Sequence, residues 1–301
     1  MKHCPLKHSF LYPFVGFCLF LFFAFSLAAS AQSRVMETLK LNSKIMGKDV
    51  KFGLYLPPDY YTSNRRYPVV YLLHGYSDDE TGWMQFGEAP VITDQLINKG
   101  EIAPVIIVMP DAGVTWYIND YLGKTRYEDM FIKELIPMID STYRTRAKKE
   151  FRAITGLSMG GYGTCILAMH NPELFVAAAP MSAAFIPDED LTAMPEGQYN
   201  STFGFLYGPA KGSERLTANW KKNSTLEQAK TMPEDKLKSI KWYFDCGDDD
   251  FLYKGNAQMH TILMDRKIPH EYRMRDGGHT WTYWRTALPE VLKFFSVSFH
   301  R

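Results

Sequence analysis

The strongest constraint on the fold is a rhythm. Short, almost wholly apolar runs recur at Pro68–Leu73, Val105–Met109, Phe151–Thr155, Val176–Ala179 and Trp242–Phe244. Runs of this length without polar alternation fit strands buried on both faces of a sheet. Between them, Val91–Asn98, Tyr127–Tyr143, Tyr162–His170 and Asn256–Arg266 space their apolar residues as helices do. The alternation predicts an α/β fold: a mostly parallel central sheet with helices on both faces. Pro137 interrupts the second helix and predicts a kink there. Val35–Leu41 and Val50–Leu56 alternate polar and apolar residues across Met46-Gly47-Lys48-Asp49, which predicts an opening hairpin. The stretch from Phe185 to Asp235 breaks the rhythm. Rich in Pro, Gly, Asn and Lys, it reads as a long irregular, lid-like insertion over residues 185–235.

The first 31 residues read as an address. Lys2 and Lys7 precede an apolar run from Phe14 to Leu27, and Ala29-Ser30-Ala31 supplies small residues before a cut. That order describes a secretory signal peptide cleaved after Ala31, leaving one catalytic-size domain over residues 32–301. The run is short for a spanning helix, which needs about 20 residues. Cys18 follows Phe17, where a lipidated cysteine would want a small neighbour. Removing two lysines and no acid takes the net charge from +1 to −1. Such balance offers no footprint for nucleic acid or an anionic membrane. Past the leader only Cys165 and Cys246 remain, too few for a disulfide scaffold; Cys165 reads as a small apolar residue.

Within this frame, Gly156-Leu157-Ser158-Met159-Gly160 stands between a buried strand and a helix. A sharp strand-to-helix turn there lifts the serine oxygen clear of the sheet, and side chains at Gly156 or Gly160 would collide across it. A serine hydroxyl needs an adjacent base. Among the histidines, His3 and His8 leave with the leader and His300 sits at the terminus. His170 closes a helix, while His260 and His270 fall in a helix and at a strand start. His279 follows the strand candidate His270–Met274 and the turn Asp276-Gly277-Gly278, so it lies on a loop at a strand's C-terminal end. It also completes the chain order Ser…Asp…His that this architecture uses.

The acid belongs just past the preceding strand, within Asp245–Phe251, where it would hold the imidazole tautomer. Asp250 precedes Phe251-Leu252, whose apolar side chains could bury it. Asp248 and Asp249 would then cap a helix or face water, and three consecutive aspartates leave the register open by one position. The spaced pattern of a calcium loop is absent, and no metal or organic cofactor is required. Oxyanion donors are expected from the backbone N–H of Met159 and of Tyr76, after the strand and turn Tyr71-Leu72-Leu73-His74-Gly75. His74 then serves as a turn-packing residue.

These residues together resemble the Putative esterase family of α/β-hydrolases, with its family-one carbohydrate esterases, tributyrin esterases, S-formylglutathione hydrolases and mycolyltransferases. The resemblance rests on Tyr71–Tyr76, Met109-Pro110-Asp111, Ser141-Thr142-Tyr143, Gly156–Gly163, Asp245–Leu252 and Gly277–Trp284. It implies an α/β-hydrolase fold, with nucleophile Ser158, acid Asp250, base His279 and oxyanion amides at Tyr76 and Met159. Trp116 and Tyr117 follow a strand's C-terminal end, and Trp281 and Trp284 flank the base. All four are candidates to stack on a sugar ring or phenolic acyl group. Export fits acetyl or feruloyl esters on polysaccharides and argues against a cytosolic thioester. A general short-chain esterase, an acyltransferase on the same scaffold and a noncatalytic binding protein are the competing readings.

Overall fold

The computed structural model describes residues 1–2 and 33–299. The expected signal peptide and its cleavage site after Ala31 lie outside the described residues, apart from Met1 and Lys2. The strands are β1 (Arg34–Ser43), β2 (Lys48–Leu56), β3 (Val69–Leu73), β4 (Ile106–Pro110), β5 (Arg152–Leu157), β6 (Ala177–Met181), β7 (Lys241–Gly247) and β8 (His270–Arg275). They form one sheet in the order β1-β2-β4-β3-β5-β6-β7-β8. The β1–β2 hairpin runs antiparallel to β4, and β3 through β8 pair in parallel. Every residue of β3, β4, β5 and β6 is buried. This is the reason their sequences lack alternation.

Two apolar layers cover the sheet. On one face, Tyr71, Val108, Ile154, Ala178 and Phe244 pack under the helix Met159–His170 and its neighbours. On the other, Val70, Ile107, Ala153, Ala177 and Tyr243 meet the helices Ala89–Asn98 and Trp281–Phe299. The C-terminal helix was not marked by sequence periodicity, because Pro289 lies inside it. Its buried positions Trp284, Ala287, Leu288, Val291, Leu292 and Phe295 nonetheless follow helical spacing. The irregularity expected at Pro137 takes the form of a π-helical turn over Phe131–Leu135. Pro137 thereby falls in the first turn of Ile136–Thr142, where its missing N–H is tolerated.

The irregular insertion expected over residues 185–235 is instead a string of short helices. They are Asp188–Ala193, Glu196–Thr202, Gly204–Tyr207, Ala218–Asn223, Thr225–Thr231 and Glu234–Lys238. The prolines that read as loop signals, Pro187, Pro195 and Pro233, each stand immediately before a helix. That is a place proline tolerates. Leu191, Tyr199, Phe203, Trp220 and Leu226 are buried and belong to the main core. Cys165 and Cys246 are both buried and free, and burial pushes the Cys246 thiol up to about 12.

The helix Met159–His170 ends on a titratable side chain. His170 closes Met159–His170, with Nδ1 2.9 Å from Glu128 and Nε2 3.0 Å from the Lys222 carbonyl oxygen. Burial opposes its charge, but Glu128 and that carbonyl outweigh burial and raise its pKa. A raised pKa in the folded state contributes stability that is complete below the unfolded value of about 6.5 and fades as pH rises through the folded value. The gap in unfolding free energy between wild type and His170→Gln should therefore be wider at pH 5.5 than at pH 8.5, as measured by urea titration. A gap independent of pH would mean that the ring is neutral throughout.

Candidate active site

The path to the site begins at β5. After Leu157 the chain turns sharply, and Ser158 takes φ 57° and ψ −117°, a conformation costly for a residue with a β-carbon. Three backbone hydrogen bonds of 3.0 Å hold it there: Ser158 N–H donates to Met181 O, and Ser158 O accepts from Tyr162 N–H and Ala184 N–H. The glycines clear the space. A β-carbon at Gly156 would lie 2.6 Å from Leu73 Cβ, and one at Gly160 2.5 Å from the His74 carbonyl oxygen.

His279 meets this serine from a loop between β8 and the C-terminal helix. Its Nε2 lies 3.0 Å from Ser158 Oγ, and its Nδ1 lies 2.8 Å from Asp250 Oδ2. The structure thus brings together three side chains 121 and 29 positions apart. The Asp250 side chain is fully buried and that of His279 is 18% exposed. Burial works against the Asp250 charge, but hydrogen bonds from His279 and the Leu252 amide prevail and hold the carboxyl below its ordinary range. Phe251, expected to bury Asp250, is 72% exposed and sets its ring 4.6 Å from the His279 ring. Asp248 and Asp249 are exposed; Asp248 accepts from the Gly277 amide at 3.1 Å. With Asp276 they place carboxylate oxygens within 4.8 Å of one another, all exposed.

The proposed oxyanion donors flank the serine. Met159 is the first residue of the helix after it. The β3 turn comes so near that a β-carbon at Gly75 would stand 3.6 Å from Ser158 Cβ, and Tyr76 follows directly. Among the described residues, neither the Tyr76 nor the Met159 amide donates to a backbone acceptor outside a helix or strand. His74 packs this turn. Its Nδ1 lies 2.7 Å from Gly75 O while Nε2 accepts from the Ala112 amide at 2.8 Å. Asp111 stands 3.7 Å from the same Nε2.

The aromatic candidates divide. Tyr117 is fully buried, donates its hydroxyl to the His74 carbonyl at 3.0 Å and lies against Gly163; expected at the rim, it is a core residue. Trp284 is corrected in the same way. It is buried, donates Nε1 to Ser182 Oγ at 3.0 Å and sets its ring edge-on to His279 at 4.8 Å. Local order could not reveal this, because β-strand ends and helix starts hide which side of a ring faces in. Trp281 is partly exposed, edge-on to Trp83 at 5.2 Å and 6.0 Å from Phe86. Trp116 is packed between Tyr76, Tyr162 and Phe203, yet its buried Nε1 has no hydrogen-bond partner.

Sequence reasoning missed two contributors. Ser182, at φ 42° just past β6, receives the Trp284 indole at 3.0 Å and helps to hold the Asp250 carboxyl below its ordinary range. Asp245, three positions before the aspartate run, is fully buried near the end of β7. The signal available for Ser182 was its place at the C-terminal end of a buried strand, beside the strand that carries Ser158.

Comparison with known proteins bears on the family and the fold. The family described as Putative esterase matches residues 43–295. An endo-1,4-beta-xylanase/feruloyl esterase of Xylanibacter ruminicola is 39% identical over 159 residues, 49% of this chain and 21% of that protein. An esterase of Mycobacterium tuberculosis is 28% identical over 261 residues, 80% of this chain and 55% of that protein. The chain thus spans about half, or less, of the length of these curated relatives. A solved ferulic acid esterase is 31% identical with a TM-score of 0.78, over 89% of this chain and 99% of its own. A family match across most of the domain, on a parallel sheet with a strained serine at its C-terminal edge, leaves one conclusion: the chain belongs to the Putative esterase family, carboxylic-ester hydrolases of the α/β-hydrolase fold.

Proposed function

We propose that this chain is an exported serine esterase acting on acetyl or feruloyl esters of polysaccharides. Ser158 would be the nucleophile, His279 the general base and acid, and Asp250 the group that orients the imidazole. The observation that carries the reading is the unbroken run of hydrogen bonds from Ser158 Oγ through His279 to a buried, ionised Asp250, at 3.0 and 2.8 Å. In the first step Ser158 Oγ attacks the ester carbonyl carbon while His279 Nε2 takes its proton. Negative charge gathers on the carbonyl oxygen, where the Tyr76 and Met159 amides would receive it. One such donor is worth about 3–4 kcal/mol of barrier. The alcohol leaves with the proton from His279. A water, deprotonated by the same nitrogen, then attacks the acyl-serine and frees the acid.

The acyl preference draws on the rim. Phe251 lays exposed aromatic surface 4.6 Å from the His279 ring, and Trp281 with Phe86 forms a second aromatic surface reached through Trp284. An aromatic acyl group suits such surfaces, with an offset or edge-on ring contact worth about 0.5–1.5 kcal/mol. Two relatives bear names that include feruloyl or ferulic acid esterase. The helical segment over residues 185–235 brings Phe203 to 4.9 Å from Trp116, which favours a role in shaping the acyl side of the site. The leader over residues 1–31 supports export, since polymer-bound esters are met outside the cytoplasm. Among the described residues no helix is long and apolar enough to cross a membrane. The domain would then span residues 32–301 and need no cofactor.

Ser158→Ala should lower kcat toward p-nitrophenyl acetate by about 10⁶-fold and abolish labelling by a fluorophosphonate. Asp250→Asn, which keeps the shape and loses the tautomer control, should cost about 10⁴-fold. Labelling that persists in the alanine variant would overturn the mechanism. Methyl ferulate, acetylated xylan and p-nitrophenyl butyrate assayed side by side test the substrate class. Fast turnover of the butyrate with neglect of the other two would leave a general short-chain esterase. The secreted protein's first residue should be Gln32, and recovery of intact Met1 from the medium would remove the cleavage site proposed.

A further inference from the structure

His279 rides on a loop, residues 276–280, whose Gly277 carbonyl accepts from the Asp249 amide at 3.0 Å and whose Gly277 amide donates to Asp248 at 3.1 Å, and its ring must meet two partners at once. The loop leaves β8 at Arg275 and enters the C-terminal helix at Trp281, with Tyr283 in that helix's first turn. One buried carboxylate touches both ends. Asp245 accepts from Tyr283 Oη at 2.5 Å, from Tyr243 Oη at 3.2 Å and from Arg275 Nη2. Its side chain is fully buried, whereas Arg275 is one-third exposed. The Arg275 guanidinium in turn lies 5.8 Å from the Tyr283 ring centre, and that ring packs against Gly277 inside the loop.

From this we propose that Asp245 is a positioning residue for the reaction. Its carboxylate, held by Arg275 and Tyr283, clamps both ends of the His279 loop to the strand that delivers Asp250, and so fixes the imidazole between Asp250 and Ser158. The inference rests on the esterase reading, in which His279 is the base.

Three features make Asp245 suited to that task. Its own backbone is held between two strands, paired with Met181 of β6 and Arg273 of the edge strand β8. Its carbonyl accepts from the Ser182 amide at 2.6 Å. Asp245 near the end of β7 and Asp250 in the turn after it are five positions apart, so the clamp and the acid are close along the backbone. Finally, a carboxylate buried with a guanidinium and two phenols is a charge-assisted network, in which removing one member leaves the others unpaired. Such a clamp matters because reacting groups must be held within about 0.5 Å, and a displacement of about 1 Å can cost about 100-fold in rate.

Two variants test the clamp. Tyr283→Phe deletes one hydroxyl and keeps the ring against Gly277; Asp245→Asn keeps the shape and turns an N–H toward the donors. With p-nitrophenyl acetate, kcat should fall about 10-fold in the first and about 100-fold in the second, while KM stays within about twofold. The proton between His279 Nδ1 and Asp250 should give a far-downfield ¹H resonance in wild type and in Ser158→Ala. In both clamp variants that resonance should broaden or move, although their circular dichroism and thermal midpoints keep them folded at the assay temperature. Unchanged kcat with an unchanged resonance would overturn the proposal, as would a loss confined to KM or one matching the unfolded fraction. Should Asp245→Asn not fold, Tyr283→Phe decides alone. Full turnover by Ser158→Ala would fell the esterase reading instead, while the resonance would still report whether the clamp holds the ring.

Discussion

Strands buried on both faces can carry almost no polar chemistry along their length, and that constraint organises the molecule. In β3 to β6 every residue is buried. Polar groups appear where these strands end: His74 after β3, Asp111 after β4, Ser158 after β5 and Ser182 after β6. Asp250 follows β7 and His279 follows β8. In parallel strands these ends share one edge, so groups scattered from residue 74 to residue 279 become neighbours.

The edge is not relaxed. Ser158, Ser182 and the pair Trp116-Tyr117 all adopt positive φ, conformations that cost of order 1–3 kcal/mol each and survive only where surroundings over-determine them. Here the surroundings are adjacent parts of the same edge. Ser158 is braced by Met181 and Ala184, and Ser182 by Asp245 and Trp284. Each strained residue thus depends on the strand beside it. The geometry of Ser158 is consequently a property of the assembled sheet, more than of the five-residue motif around it.

Much of this was legible in the chain. The buried strands, the opening hairpin and the residues Ser158, Asp250 and His279 could be read because each has a local signature: an apolar run, a glycine-framed turn, a histidine after a strand. What escaped has its cause in three dimensions. Pro187, Pro195 and Pro233 mark helix starts as readily as loops, so the segment over residues 185–235 looked irregular and is helical. Tyr117 and Trp116 are adjacent, yet one ring is locked under the His74 turn while the other keeps an unpaired indole N–H. Asp245 looked like one more acid in an acidic stretch. Only the fold reveals that it faces inward between Tyr243, Tyr283 and Arg275.

The two halves of the site are stabilised by different means, and the difference bears on function. The serine is fixed by backbone bonds and close glycine contacts, which leave it little freedom and ask nothing of side-chain charge. The imidazole is fixed through side chains: Asp250 at one nitrogen, Trp284 edge-on to the ring, and the loop ends on Asp245. An imidazole that must take a proton from one oxygen and return it to another gains from such a support, because the charge it acquires is met by an acid already ionised and already in place. Rigid backbone at the serine and a polar side-chain frame at the imidazole are what the proposed two-step acyl transfer would require of such a site.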